Sequence, residues 1–135
     1  MNGALDFSSL KLTHKPNQFL VAPEGVCQKA KPHLISSIYS ASPEQVYATW
    51  KEIILQAPRT ELLAEDPGNY TIEAVQRSSL FRFKDRINFA AFAAGADKCT
   101  IAVYSRSLVG YSDMGANKAR IGNWLDMLDQ ALANG

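Results

Sequence analysis

Leu80-Phe-Arg-Phe-Lys-Asp-Arg-Ile-Asn-Phe-Ala-Ala-Phe-Ala-Ala94, then Gly95-Ala-Asp-Lys98, then Thr100-Ile-Ala-Val-Tyr-Ser-Arg-Ser-Leu-Val109, is the stretch on which the fold turns. Phe81, Phe83, Ile87, Phe89 and Ala91 share one parity, while Arg82, Lys84, Arg86 and Asn88 share the other. Side chains alternate across a strand, so this pattern predicts a strand with one apolar and one basic face. The four-residue link makes Thr100–Val109 its antiparallel neighbour, with Ile101 and Val103 on the apolar side.

Working toward the N-terminus, Tyr70–Arg77 sets Tyr70, Ile72 and Ala74 against Thr71, Glu73 and Arg77, which predicts a half-buried strand. Asp66-Pro67-Gly68-Asn69 reads as a turn and Thr60–Glu65 as the strand before it. Ser42 is a helix cap, Pro43 suits the first helical position and Gln45 completes a capping box. Val46, Trp50, Ile53 and Ala57 follow at helical spacing, and Pro58 ends the element. Residues 1–40 form an extended arm, with a short strand around Leu34–Tyr39. Phe7, Leu10, Leu12, Phe19, Leu20 and Val21 call for burial of that arm against the domain.

Toward the C-terminus, a last helix begins within Ser112–Asn117 and ends near Ala133, with Ile121, Trp124, Leu125, Leu128 and Leu132 in one stripe. The expected architecture is one α+β domain over residues 1–135. It is a two-layer sandwich, an antiparallel sheet of three to five strands with two helices on one face. The other face is open, or covered by the arm or by a partner chain.

The chain has 135 residues, 47% of them hydrophobic and 20% charged, with a net charge of +1. That balance gives the whole molecule no bias toward nucleic acid or an anionic membrane, so any electrostatic preference is local. No apolar run approaches the roughly 20 residues of a membrane span. Met1–Leu20 lacks a charged start followed by a hydrophobic core, and a cytoplasmic location is expected. Cys27 and Cys99 are expected to stay reduced, with a disulfide or a reactive thiol as the alternative.

With the phenylalanine face under the helices, the opposite face carries Arg77, Arg82, Lys84, Arg86, Tyr104 and Arg106 and few acids. This is either a solvated face that blunts edge pairing or a surface for carboxylate or phosphate. Asp85 shares the core-side parity. A buried carboxylate needs a partner, and Arg120 or the amides of the Gly110–Gly115 turn can serve. Gly110 and Gly115 permit positive φ, and Ser112 or Asp113 can cap the last helix. The same junction, with Lys118 and Arg120 in the first turns, suits an anion at a helix start. Its glycine spacing matches neither a dinucleotide fingerprint nor a P-loop. His14 and His33 lie in the arm without metal-type neighbours, so no metal and no cofactor are expected.

Phe81-Arg-Phe-Lys-Asp85 together with Ser105-Arg-Ser-Leu-Val-Gly-Tyr-Ser-Asp-Met-Gly-Ala-Asn-Lys-Ala-Arg120 resembles the domain of unknown function 1499 family, from about Val26 to the C-terminus. The resemblance implies bacterial and plastid-bearing relatives and no assigned activity. The matching positions are Arg82, Asp85, Ser105, Ser107, Gly110, Ser112, Asp113, Gly115, Asn117 and Arg120. Arg86 stands where the family has a second acid. Tyr104 and Leu108 stand where it has arginines, and Arg106 takes the position between them. The family's Cys-Val-Ser-Ser is approximated by Cys27 and Ser36-Ser37.

The functional expectation is a non-enzymatic module. It would bind a small anionic or polar ligand, or an acidic partner, through Arg82, Arg106, Ser107 and the Gly110–Gly115 turn. The alternatives are a homodimer formed on the open sheet face, or an enzyme using Asp85 or Asp113 as acid or base.

Overall fold

The computed structural model describes residues 4–134; the first three residues of the arm and Gly135 lie outside the described residues. The elements are β1 (Gln18–Ala22), β2 (Leu34–Ile35), α1 (Pro43–Gln56), β3 (Thr60–Asp66), β4 (Thr71–Arg77), β5 (Lys84–Ala93), β6 (Cys99–Ser107) and α2 (Ala116–Asn134). The sheet has six strands in the order β2-β1-β6-β5-β4-β3. All neighbours are antiparallel except β1 and β2, which run parallel.

The expected sheet of three to five antiparallel strands is therefore corrected to six mixed ones. The addition is β1, which the arm supplies by pairing Gln18–Val21 with Arg106–Val103. Its five residues are all buried. Phe19 and Val21 face the helices, while Leu20 and Ala22 face the other side. A strand buried on both faces is continuously apolar, so Phe19-Leu20-Val21 shows no alternation to read.

Ser42 caps α1 through a capping box with Gln45, and Pro43 starts the helix. Trp50 is fully buried. It stacks on Phe89 with ring centroids 4.9 Å apart and meets Trp124 of α2 edge-on at 5.8 Å. This aromatic joint fastens both helices to β5, and truncating such a side chain costs about 3–5 kcal/mol. The second face is not open. Phe7, with Leu5, Leu10, Leu12, Val26 and Cys27, packs over Leu20, Ala22, Ala90, Ala102 and Tyr104. His33 holds the arm down: its Nδ1 accepts the Leu20 amide at 2.9 Å, and its ring stacks on Phe19. The arm thus occupies the surface on which the homodimer was drawn.

The strand expected from Leu80 begins at Lys84 instead. Arg82 has φ +61°, which breaks the pleat, and a tight turn closes through Ser78 N donating to Phe83 O at 2.9 Å. Phe81 and Phe83 consequently leave the core parity and are exposed. Both cysteines are free, Cys99 buried at the start of β6 and Cys27 half-buried within the arm.

Candidate functional site

Three strands and α2 converge where Asp85, Gln76 and Ser105 occupy core-side positions at one end of the sheet. Asp85 lies opposite Gln76 on one side and Ser107 on the other. Arg120 reaches in from the first full turn of α2. Its Nη2 donates to Asp85 Oδ2 at 2.7 Å, its Nη1 to Asn117 Oδ1 at 2.8 Å and to Ser105 Oγ at 3.1 Å, and its Nε to Gln76 Oε1. The side chains of this ion pair are 12% and 13% exposed. A charge pair so far from water needs further partners, and here all three guanidinium nitrogens of Arg120 donate to neighbouring side chains.

Asn117, fully buried, joins this cluster to the glycine turn. Its amide nitrogen donates to Asp113 Oδ2 at 2.7 Å, to Ser107 Oγ at 3.1 Å and to the Asn17 carbonyl at 3.2 Å. Asp113 caps α2, with Oδ1 accepting from Gly115 N at 2.8 Å and Oδ2 from Asn117 N at 3.0 Å. Burial pushes the Asp113 carboxyl up, but the hydrogen bonds from Asn117 and Gly115 outweigh it and hold it below its ordinary value. Gly110 and Gly115 both take φ +81°. Asn17 Nδ2 fastens the turn by donating to the Gly110 carbonyl at 2.9 Å. Ser112 only receives the Met114 amide, at 3.3 Å.

A groove of about 730 Å³ borders this junction, lined among others by Pro16, Phe19, His33, Asp113, Gly115 and Lys118. The helix-start amides that would greet an anion there are those of Gly115 and Asn117, and Asp113 already takes both.

The candidate residues thus fall in three places. Asp85, Ser107, Asp113, Asn117 and Arg120 meet in one network, with Gly110 and Gly115 forming the turn beside it. Arg82 does not join them. It sits in the exposed β4–β5 turn and makes no side-chain hydrogen bond or ion pair among the described residues. Arg106 lies on the opposite face of the sheet.

On that face Arg106 stands directly across from Arg86. Like charges in that register repel. Arg86 Nη1 meets Glu73 Oε2 at 3.2 Å, and its Nε is buried with no hydrogen-bond partner among the described residues. Arg106 Nη1 donates to Asn88 Oδ1 at 2.7 Å, and its guanidinium lies 4.7 Å from the centre of the Tyr104 ring. Tyr104 in turn donates to Gln18 Oε1 at 2.5 Å. Burial lowers the Arg106 pKa; Tyr104 opposes that and Arg86 adds to it. Next to this pair is a recess of about 270 Å³ lined by Thr13, Lys15, Asn17, Gln18, Tyr104, Arg106, Ser107, Leu108 and Gly110, with no carboxylate among them.

Three of these residues escaped the sequence reading: Asn17, Gln76 and Gln18. Gln76 carried a usable signal, because it shares the parity of Ile72 and Ala74 and so is a polar residue on a core face, as Asp85 is. Asn17 and Gln18 precede the apolar run of β1, and nothing local marks them.

Among the described residues no group of three or more His, Cys, Asp or Glu side chains could hold a metal ion, and no helix is long and apolar enough to cross a membrane. No curated protein matches the chain. Among solved structures, the di-domain ARO/CYC BexL from the BE-7585A biosynthetic pathway is similar at 12% identity and a TM-score of 0.43, over 72% of this chain and 42% of that one. A DUF4468 family protein from Bacteroides ovatus is similar at 17% identity and a TM-score of 0.30, over 58% of this chain and 56% of that one. This chain therefore spans less than two thirds of either. The family described as "Protein of unknown function (DUF1499)" matches residues 11–128, most of the chain and all of the Asp85–Arg120 network, and the protein belongs to that family.

Proposed function

We propose that the protein is a non-enzymatic module that holds a small phosphate- or carboxylate-bearing ligand at the recess beside Arg106. The observation that carries this reading is the Arg86–Arg106 register, two arginines directly opposed across β5 and β6, with Glu73 bonded to Arg86 and no ion pair on Arg106 among the described residues. An anion bridging Arg106 and Lys15 relieves that repulsion, and a guanidinium offers the fork such a group fits. The absence of a carboxylate from the lining supports the same reading.

The non-enzymatic part rests on the two acids considered for catalysis. Asp85 accepts from Arg120 through Oδ2 and Asp113 from two backbone amides, and neither lines the recess beside Arg106. A cytoplasmic setting belongs to this reading, since the two cysteines are unpaired.

Thermal melts of the wild type and of Arg106→Ala against a panel of phosphates and carboxylates test the proposal. At least one ligand should raise the wild-type midpoint and leave the variant unmoved. A panel that shifts both equally, or neither, overturns it.

A further inference from the structure

Two loops leave the sheet at its Arg77–Lys84 end. One joins β4 to β5 through residues 78–83, and the other joins β6 to α2 through residues 108–115. Their bases touch, because Leu108 N donates to Lys84 O at 3.1 Å and Asp85 pairs with Ser107. Both expose large apolar side chains that the core does not use. Leu80 is 76% exposed, Phe81 67% and Met114 95%, and Phe83, Val109 and Tyr111 are more than half exposed. Single exposed apolar residues need no explanation, but a cluster at one end of a molecule does.

These side chains are presented, not left loose. Phe81 and Phe83 stack with centroids 5.4 Å apart. Ser78 closes their turn twice, through its amide to Phe83 O and through its Oγ receiving the Phe83 amide at 3.0 Å. Arg82 and Met114 hold positive φ, an unfavourable backbone for non-glycine residues.

Unpaired cations outnumber unpaired acids at this end. Lys15, Arg59, Arg82, Lys84 and Lys118 enter no ion pair among the described residues. Of the acids nearby, Asp85 is paired with Arg120 and Glu61 with Arg77, while Asp113 keeps its charge as it caps backbone amides. At the opposite end of the sheet Glu65 is paired with Lys51, and Asp97 stands beside Lys98 in the β5–β6 turn. The excess of unpaired cations therefore coincides with the apolar tip.

We propose that this tip docks peripherally on an anionic lipid surface, with Leu80, Phe81, Phe83 and Met114 entering the interface and Arg82, Lys84 and Lys118 meeting the headgroups. The sequence Leu80-Phe81-Arg82-Phe83-Lys84 alternates apolar and cationic residues. A lipid interface accepts that mixture, because rings sink below the headgroups while cations stay among them. A protein groove receiving the same rings would have to bury Arg82 and Lys84 as well. A second copy docked tip to tip would bring the unpaired cations of both together. The inference does not depend on the recess beside Arg106.

The test is co-sedimentation of the full chain with vesicles of phosphatidylcholine alone and of equimolar phosphatidylcholine and phosphatidylserine. Wild type should pellet with the mixed vesicles and not with phosphatidylcholine. The exposed-site variants Phe81→Ser/Phe83→Ser and Arg82→Glu/Lys84→Glu should keep the wild-type melting midpoint and each bind about tenfold more weakly. Arg106→Ala should bind as wild type does. Failure of wild type to pellet, equal binding by the Phe81→Ser/Phe83→Ser variant, or loss of binding in Arg106→Ala alone would each overturn the proposal. So would a wild-type dimer in light scattering that the Phe81→Ser/Phe83→Ser change dissolves without any vesicle binding. Failure of the vesicle test leaves the phosphate and carboxylate melts unaffected, so the two proposals stand or fall separately.

Discussion

The two faces of β5 and β6 near one end of the sheet treat charge in opposite ways. On the helix side, Asp85 and Arg120 are closed in by Gln76, Ser105 and Asn117, and all three guanidinium nitrogens find partners inside the protein. On the arm side, one residue along each strand, Arg86 and Arg106 face each other and a buried Arg86 Nε has no hydrogen-bond partner among the described residues. A network in which every Arg120 nitrogen is bonded puts its energy into fixing α2 against the sheet. An unbalanced pair of cations holds an unmet interaction. Asp85, Asn117 and Arg120 are thus spent on structure, and the proposed binding is assigned to the strand face opposite them.

The sharpest way to break this contrast is to cut the closed network. Arg120→Ala leaves Asp85 in the interior without its cation, and the expected loss is about 3–5 kcal/mol in a urea unfolding experiment. A loss below about 1 kcal/mol, as for an exposed ion pair, would show that the network is not closed. Next in size is Asn117→Ala, which strips partners from Ser105, Ser107 and Asp113 at once and is expected to cost about 1–3 kcal/mol. Because Asn117 and Arg120 share a network, the double variant should lose less than the sum of the single losses. An additive result would separate them.

The smallest effect concerns the arm, which covers the sheet face opposite the helices. Burial lowers the His33 pKa, and its Nδ1 can accept the Leu20 amide only when that nitrogen carries no proton. The unfolded chain takes up a proton near the ordinary histidine value of about 6.5, and the folded chain only at lower pH. Stability from this group is full above about pH 6.5 and falls as pH drops toward the folded pKa. Melting midpoints should decline across that range in the wild type and decline less in His33→Gln. Identical profiles for the two proteins would remove His33 as the clasp.

Much of this was legible in the chain. Alternation placed β4 and the body of β5, the Ser42–Gln45 box placed α1, and the parity of Asp85 pointed to a core-side carboxylate with Arg120 or the Gly110–Gly115 amides as its partner; the structure gives Arg120. What failed did so for physical reasons. Phe81 and Phe83 continue the β5 pattern in sequence, but the left-handed Arg82 takes them out of the sheet, and no residue type there announces a positive φ. The arm strand β1 is buried on both sides, so its two-sided apolar run carried no parity. Parity in the sequence already set Arg106 and Asp85 on opposite faces, although the expected ligand site drew on both. Strand alternation sends Arg106 to the opposite face from Ser105 and Ser107, and that division makes two regions of one motif.

Backbone amide shifts during titration with inorganic phosphate test the division most directly. The expected result is a perturbation centred on residues 84–88 and 104–108 together with Lys15, with the Gly115 and Asn117 amides held by Asp113 and unmoved. Shifts centred on residues 113–117, with those strands silent, would place the anion at the helix start and contradict the assignment of structure to one face and binding to the other.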